Sequence, residues 1–448
     1  MSINTRHPSI TADVQAEWRL MRDAMSGESA IKRAGEVYLP MPGGFKAMGG
    51  NAGVDAYEAY KARAQFPEIT SPSVSAMIGI AHTQQAQIDL PSGMEYLLEA
   101  ATPDGLTLDQ LHRKITRELL VMGRYGVLAD APEGGGSPYL VGYTAESIIN
   151  WDDDFFVLDE CGMVRNGYTW ERVEKYRVLA MVEGRLVHTV SEAGAEVAKP
   201  VIGAGGKAIS RVPFAVASSG DLTPAIVPPP LIGVARPAKA IYQLSADYRW
   251  QLFMSGQETL VAINGTAPTA VGAGVVHSMM GAEGITPDLK YVSPTCNGIE
   301  AHKAAILECR NEAIAAGARL FDQAQSKQES GDARSLRYAS ETATLMSVVL
   351  SSCGLLERSL RNVAMLLGQD ETAVVVTPPA ELMKEVMTPA EAAALMGVWQ
   401  GGGISYDTFY ENIQRGGIAS AERNADEELA LIDKAQITDP SGSGDAVI

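Results

Sequence analysis

Cysteine is scarce in this chain: Cys161, Cys296, Cys309 and Cys353 are scattered through 448 residues with no CxxC and no short spacing. That excludes a disulfide framework and a zinc site of familiar ligand spacing. Long apolar runs are lacking as well. No stretch approaches the roughly 18 apolar residues of a membrane span, and the N-terminal MSINTRHPSITADVQAEW has no hydrophobic signal segment. No membrane partner is therefore expected, and synthesis in the cytoplasm is. Basic side chains are outnumbered, 36 against 54 acidic ones, for a formal net charge of −18. A protein that grips nucleic acid needs clustered Lys and Arg to neutralise phosphates, so the balance argues against such a grip. Aromatics are only 6%, yet 46% of residues are hydrophobic, enough for ordinary globular cores.

The hydrophobic patterning then divides the chain. Ala12 to Met25 reads as a helix started by Thr11, with Val14, Trp18, Met21 and Met25 along one face and Ser26-Gly27 as its stop. Met41 to Gly53 holds five glycines and a proline and reads as a loop. Helices are expected over Asp55 to Gln65 and Ser73 to Ala81. Leu106-Thr107 opens a further helix with Leu108, Leu111, Ile115, Leu119 and Met122 recurring every three or four residues until Gly123. Strand signals follow at Tyr125–Ala129, Tyr139–Tyr143, Ser147–Trp151, Phe155–Asp159 and Gly167–Trp170, then at Lys175–Val182 and Arg185–Val190 about a Glu183-Gly184 turn. Residues 1–230 thus form an α+β region.

After Pro228-Pro229-Pro230 a helix is expected over Leu231–Gln257, a Gly/Pro-punctuated β-like insert over Glu258–Asn297, and a returning helix over Gly298–Leu320. The polar segment Phe321–Ala333 (FDQAQSKQESGDA) leads into a long amphipathic helix, Arg334–Leu367, with small residues Ser351, Ser352 and Gly354 in its middle where a kink is expected. Beyond Thr377-Pro378-Pro379, helical signals at Pro389, after Ser405, and over Ala421–Lys434 describe a small helical region, with a disordered tail after it.

Motifs for chemistry are few. Gly203-Ala-Gly-Gly-Lys207 lacks the first glycine and the Ser/Thr of a phosphate loop, having Val201 and Ala208 there, and reads as a β-turn. Asp152-Asp153-Asp154 offers oxygen ligands but no further acid at loop spacing, and reads as a solvated turn. His302 and Cys309 share a helix face as core residues would. No metal, cofactor or catalytic residue is assigned. The alternative reading is an acidic α+β metal-dependent hydrolase using Asp152 to Asp154.

Several stretches occur in a fixed order: Trp18 with Arg22-Asp23, Tyr38-Leu39-Pro40, Tyr57–Ala64, Gly123–Asp130 with Pro132, Tyr143–Trp151 (YTAESIINW), Pro228–Leu231, and Ser245–Tyr248. Together they resemble a family of tailed-bacteriophage portal proteins long carried as a domain of unknown function, over about residues 12–430. The resemblance implies a portal-like α+β subunit. Its parts would be an α/β wing (1–230), stem helices (231–257 and 298–320), a small α/β clip (258–297), a channel or tunnel loop (321–333), a long kinked wing helix (334–368), a helical crown (380–434) and a disordered tail (435–448). It further implies a structural, non-enzymatic dodecameric ring at one capsid vertex of the virion. Double-stranded DNA would pass through it without sequence specificity during packaging and ejection. Terminase, head-completion or adaptor proteins and the major capsid protein would be its partners. On this reading Gln323, Gln325, Ser326, Lys327, Gln328 and Arg334 are the candidate channel residues. Asp322, Glu329 and Asp332 beside Lys327 weigh against tight phosphate binding.

Overall fold

Thr11 and Thr107 each accept a backbone N–H from the first turn of the helix that follows, at 3.3 and 3.2 Å, and Gln110 reaches back to the Thr107 amide at 3.0 Å to complete a capping box. Gly123 closes the second of these helices at φ 74°. In the computed structural model these are α1 (Ala12–Ser26) and α7 (Leu108–Met122). The described residues are 3–132, 135–256, 258–265, 268, 270–271, 279, 284–292, 298–317, 331–379, 382, 389–420 and 423–438. Backbone alone is described at 331–343, 389–391, 415 and 433–438. The chain divides into two units, Met1–Pro378 and Pro379–Ile448.

In the first unit, α1 is followed by α2 (Glu28–Arg33), α3 (Gly43–Met48), α4 (Gly50–Arg63), α5 (Thr70–Ala81), strand β1 (Gln87–Asp89), α6 (Tyr96–Glu99) and α7. The glycine-rich stretch expected as a loop therefore holds α3 and the start of α4. Gly49 and Gly50, at φ 66° and 50°, make the break between them. Gly53 lets the two helices touch, since a Cβ there would lie on the Phe45 carbonyl oxygen.

The core forms around a three-stranded antiparallel sheet, β11 (Phe214–Ser218), β2 (Arg124–Asp130) and β3 (Tyr139–Thr144), in that order. Phe214 pairs with Leu128 and Tyr125 with Thr144. β2 is buried from Arg124 to Ala129. Gly126 and Gly142 lie beneath the Phe214 and Tyr125 rings, where a Cβ would overlap ring or hydroxyl atoms. Against this sheet pack α7 and the 37-residue α10 (Gly331–Leu367). Val348, Val349, Leu355, Leu356, Leu360 and Val363 of α10 are buried. α10 begins three residues before the expected Arg334 and is helical without interruption through Ser351–Gly354. Gly354 permits a close approach, because a Cβ there would come within 2.9 Å of Leu222.

A second antiparallel sheet has the order β10 (Ala195–Pro200), β9 (Arg185–Glu192), β8 (Lys175–Val182), β5 (Phe155–Asp159) and β4 (Ile148–Asp152). Glu183-Gly184 and Ala193-Gly194 both have positive φ at each residue, the two-residue turn that matches strand twist. Between β5 and β8 the chain leaves as a hairpin of β6 (Gly162–Asn166) and β7 (Thr169–Val173). Gly167, expected in a strand, is the left-handed residue of its turn, at φ 63°. Arg177 joins the two sheets through Asp130 at 2.7 Å and Glu160 at 2.5 Å, and Tyr143 donates to Glu160 at 2.6 Å. Arg22 holds Glu118 and Glu146 at 2.6 and 2.7 Å.

The remaining elements of this unit are α8 (Ile232–Ser255), the antiparallel pair β12 (Thr259–Ile263) and β13 (Asp288–Val292), α9 (Ile299–Ala315), α10, and β14 (Val375–Thr377), which pairs with β1. The fold is α+β. In the second unit α11 (Pro389–Gln400) and α12 (Tyr406–Arg415) meet through Trp399 stacked on Phe409, centroids 4.8 Å apart. α13 runs Ala425–Thr438, later than the expected 421–434. Asn424 caps it, accepting from Glu427 N at 2.8 Å, and Asp439-Pro440 follows its end. Residues 435–438, expected in the tail, are thus helical, and 439–448 lie outside the described residues. Among the described residues no helix is long and apolar enough to cross a membrane.

Candidate functional site

Burial along α8 is one-sided in sequence. Its buried residues, Ile232, Val234, Ala235, Ala238, Ile241, Tyr242, Ser245 and Ala246, all lie in the first two thirds, and none follows Ala246. At that transition the helix is fastened to the N-terminal helices by polar bonds. Tyr60 donates to Asp247 at 2.6 Å. Ser245 accepts from the Gln65 amide and donates to its carbonyl, each at 2.9 Å. Gln243 donates to the Tyr38 carbonyl at 2.6 Å, Tyr38 to Asp23 at 2.7 Å, and Tyr57 to the Leu39 carbonyl at 2.7 Å.

Next to these bonds, Phe45, Tyr60 and Trp250 meet edge to face, with centroids 5.2 to 6.1 Å apart. The Arg63 guanidinium lies 3.8 Å from the Phe253 ring centroid. Stretches far apart in sequence, Asp23, Tyr38–Leu39, Tyr57–Ala64 and Ser245–Asp247, are therefore one joint about two thirds of the way along α8. Gly123 belongs to the neighbouring contact, where a Cβ would sit 3.1 Å from the Val227 carbonyl just before the Pro-Pro-Pro segment.

Along the length of α8, from before the joint to past it, α9 runs antiparallel to it. Gly233 near the start of α8 faces Ala316 at 3.0 Å from an ideal Cβ, and Gln251 near its end meets His302 at 3.2 Å. Of α9 only Ala313 is buried. Ala304, Leu307, Glu308, Asn311, Glu312 and Ala315, spaced three or four apart, line a shallow groove on its outer face. Leu307 remains 58% exposed. Leu252 and Met254 at the far end of α8 are exposed too.

The candidate loop residues Gln323, Gln325, Ser326, Lys327 and Gln328 lie outside the described residues. Arg334 is in the first turn of α10. The polar groups that could carry chemistry are elsewhere. His112, Thr116, Ser352 and Cys353 are buried together between α7 and α10. His112 Nε2 lies 3.0 Å from Ser352 Oγ and 3.5 Å from Cys353 Sγ, and His82 bonds Thr116 at 3.0 Å. Burial, helped by His82, lowers His112 to about 3, and burial raises the Cys353 thiol to about 11. Both are neutral at pH 7, so the pair is a hydrogen-bonded helix contact with no thiolate to attack with.

Arg124, wholly buried, lies 3.9 Å from the Trp151 ring and donates to the Ile148 carbonyl at 3.3 Å. Burial alone brings it down to about 9.

Asp152 ends β4, and Asp153 and Asp154 form the turn to β5, all three exposed. In the Gly203–Lys207 stretch, Gly203 donates to the Lys207 carbonyl at 2.9 Å and Gly206 to that of Gly203 at 3.1 Å, committing amides that a phosphate would need. Among the described residues no group of three His, Cys, Asp or Glu side chains is placed to hold a metal. Cys296 lies outside the described residues. No local signal in the sequence pointed to the α8 joint, because its residues are ordinary tyrosines, serines and aspartates until the fold brings them together.

A family model described as a domain of unknown function, DUF4055, matches residues 230–367, which run from the Pro-Pro-Pro segment to the end of α10. No curated protein matches the chain. Among solved structures, the chain is similar to a component of the neck of an empty gene transfer agent particle computed with C6 symmetry, at 15% identity and a TM-score of 0.42, covering 79% of this chain and 90% of that one. It is also similar to a component of the neck of the native particle computed with C12 symmetry, at 16% identity and 0.39, covering 78% and 89%. A component of the native particle's virion aligns at 16% identity and 0.41, covering 78% and 90%.

Proposed function

We propose that this chain is the subunit of a portal-type ring, a structural conduit for double-stranded DNA at a capsid vertex, without catalysis of its own. The observation that carries this is the α8–α9 pair, which is fastened part-way along α8 by the Tyr60–Asp247 joint and left exposed along α9. A helix pair so placed needs partners for its outer faces, and identical neighbours in a closed head-to-tail ring supply them. In this reading α8 and α9 are the stem, the β12–β13 insert between them is the clip, and residues 321–333, the last three of which are the first residues of α10, supply the channel segment. Gln323, Gln325, Ser326, Lys327, Gln328 and Arg334 face the DNA path, and residues 380–434 form the crown. The excess of acidic side chains suits a channel through which DNA slides without being held. Terminase docks during filling and head-completion proteins afterwards. The ordered sequence stretches shared with portal proteins support the same reading.

Deleting residues 324–331 tests the loop assignment. Rings should still form, while packaging or DNA retention should fall. Loss of the ring in the deletion variant would overturn it.

A further inference from the structure

Among the described residues, the β6–β7 hairpin is an exposed arm. Nine of its ten strand positions are exposed, with only Val173 half-buried. A lone two-stranded hairpin is marginal in water, yet this one displays large side chains: Met163 is 57% exposed, Trp170 62% and Tyr168 97%. Its register sorts them. Met163 pairs with Arg172 and Arg165 with Trp170, so these four share one face, whereas Val164, Asn166, Thr169 and Glu171 share the other. The first face carries two arginines and no acid. Arg165 is braced by donating to the Gly167 carbonyl at 2.6 Å and lies 5.9 Å from the Tyr168 ring centroid.

Trp, Tyr, Met and Arg together, with no Lys, make up the composition of a protein-interface anchor. Two cations, one already hydrogen-bonded to its own turn, are few for a phosphate grip. The rest of the chain is strongly acidic, the hairpin face is cationic, and copies of this chain would be the nearest acidic surfaces in an assembly. We propose that the β6–β7 arm docks, through Met163, Arg165, Trp170 and Arg172, on the acidic surface of a second copy of this chain. This rests on the ring reading and adds a contact distinct from the α8–α9 pair.

The test places a photo-activatable cross-linking residue at Tyr168 in the full-length chain, beside the exposed double variant Arg165→Glu/Arg172→Glu. Illumination of the assembled protein should give covalent chain–chain products. The double variant should lower the assembled fraction at least tenfold at fixed concentration, with an unchanged circular-dichroism spectrum. Rings that form normally in the double variant and give no chain–chain product would overturn the arm contact and leave the ring reading intact. Cross-linking to DNA in place of protein would also overturn it. Absence of any assembled species in the unaltered protein would overturn both.

Discussion

Replacing Leu307 should separate folding from assembly. Leu307 sits in the outer groove of α9 and keeps 58% of its surface exposed within the chain. Burying a leucine completely contributes roughly 1.5–3 kcal/mol, so covering what remains exposed is worth about 1–2 kcal/mol at each subunit contact. Leu307→Ala should then weaken pairwise association about five- to thirtyfold. The loss recurs at every contact around a closed ring. Leu307→Asp should be more severe, because it adds a carboxylate beside Glu308 and Glu312 and would have to desolvate it. The isolated subunit should hardly notice either change, since exposed substitutions cost within about 0.5 kcal/mol. Mass photometry across a concentration series reads the assembly, and thermal unfolding followed by circular dichroism reads the fold. An Asp variant that assembles at the same concentration as the unaltered chain would show that α9 is not a subunit contact. So would an Ala variant whose monomer melts many degrees lower, for then Leu307 would be part of the folding core.

Two further predictions concern the body. Burial pushes the Glu160 carboxyl up, but the Tyr143 hydroxyl, Arg177 and Lys175 outweigh it and hold it below the usual range. A carboxyl lowered by folding contributes stability above its unfolded value of about 4.3, and that contribution fades as pH falls through the folded value. Arg177→Met should therefore cost about 1–3 kcal/mol at pH 7, with the gap from the unaltered protein narrowing toward pH 3 in denaturant titrations; a gap constant with pH would contradict the pairing. The Cys353 thiol, raised to about 11 and buried, has a thiolate fraction of about 10⁻³ at pH 8. Peptide mapping after iodoacetamide treatment should find it alkylated at least a hundredfold more slowly in the native chain than after unfolding. Rapid native labelling would mean that the α7–α10 contact opens.

Local chemistry was the legible part of this fold. Thr11, Thr107 and Gly123 announce their helix ends because the capping groups are neighbours in sequence. Glu183-Gly184 was visible as a turn between alternating strands, whereas Ala193-Gly194, with the same positive φ at both residues, carries an alanine that signals helix as readily as turn. The glycines of Met41–Gly53 misled for a related reason. Two make a break between helices and one permits a close contact, and composition alone does not tell these uses from a loop. Arg124 in a wholly buried strand was not legible at all, since its tolerance depends on the Trp151 ring and the Ile148 carbonyl. The candidate site was half legible. The order helix, insert, helix, long helix could be read, but the joint that fixes α8 needs Tyr60 and Asp247, 187 positions apart, to meet.

If identical copies close into a ring around the α8–α9 pair, the native mass must show it, read by mass photometry with negative-stain images of the same sample. Twelve copies of the 47.6 kDa chain give a species of about 571 kDa with ring-shaped end views. A sample that remains at 47.6 kDa at micromolar concentration, without rings in the images, would contradict it.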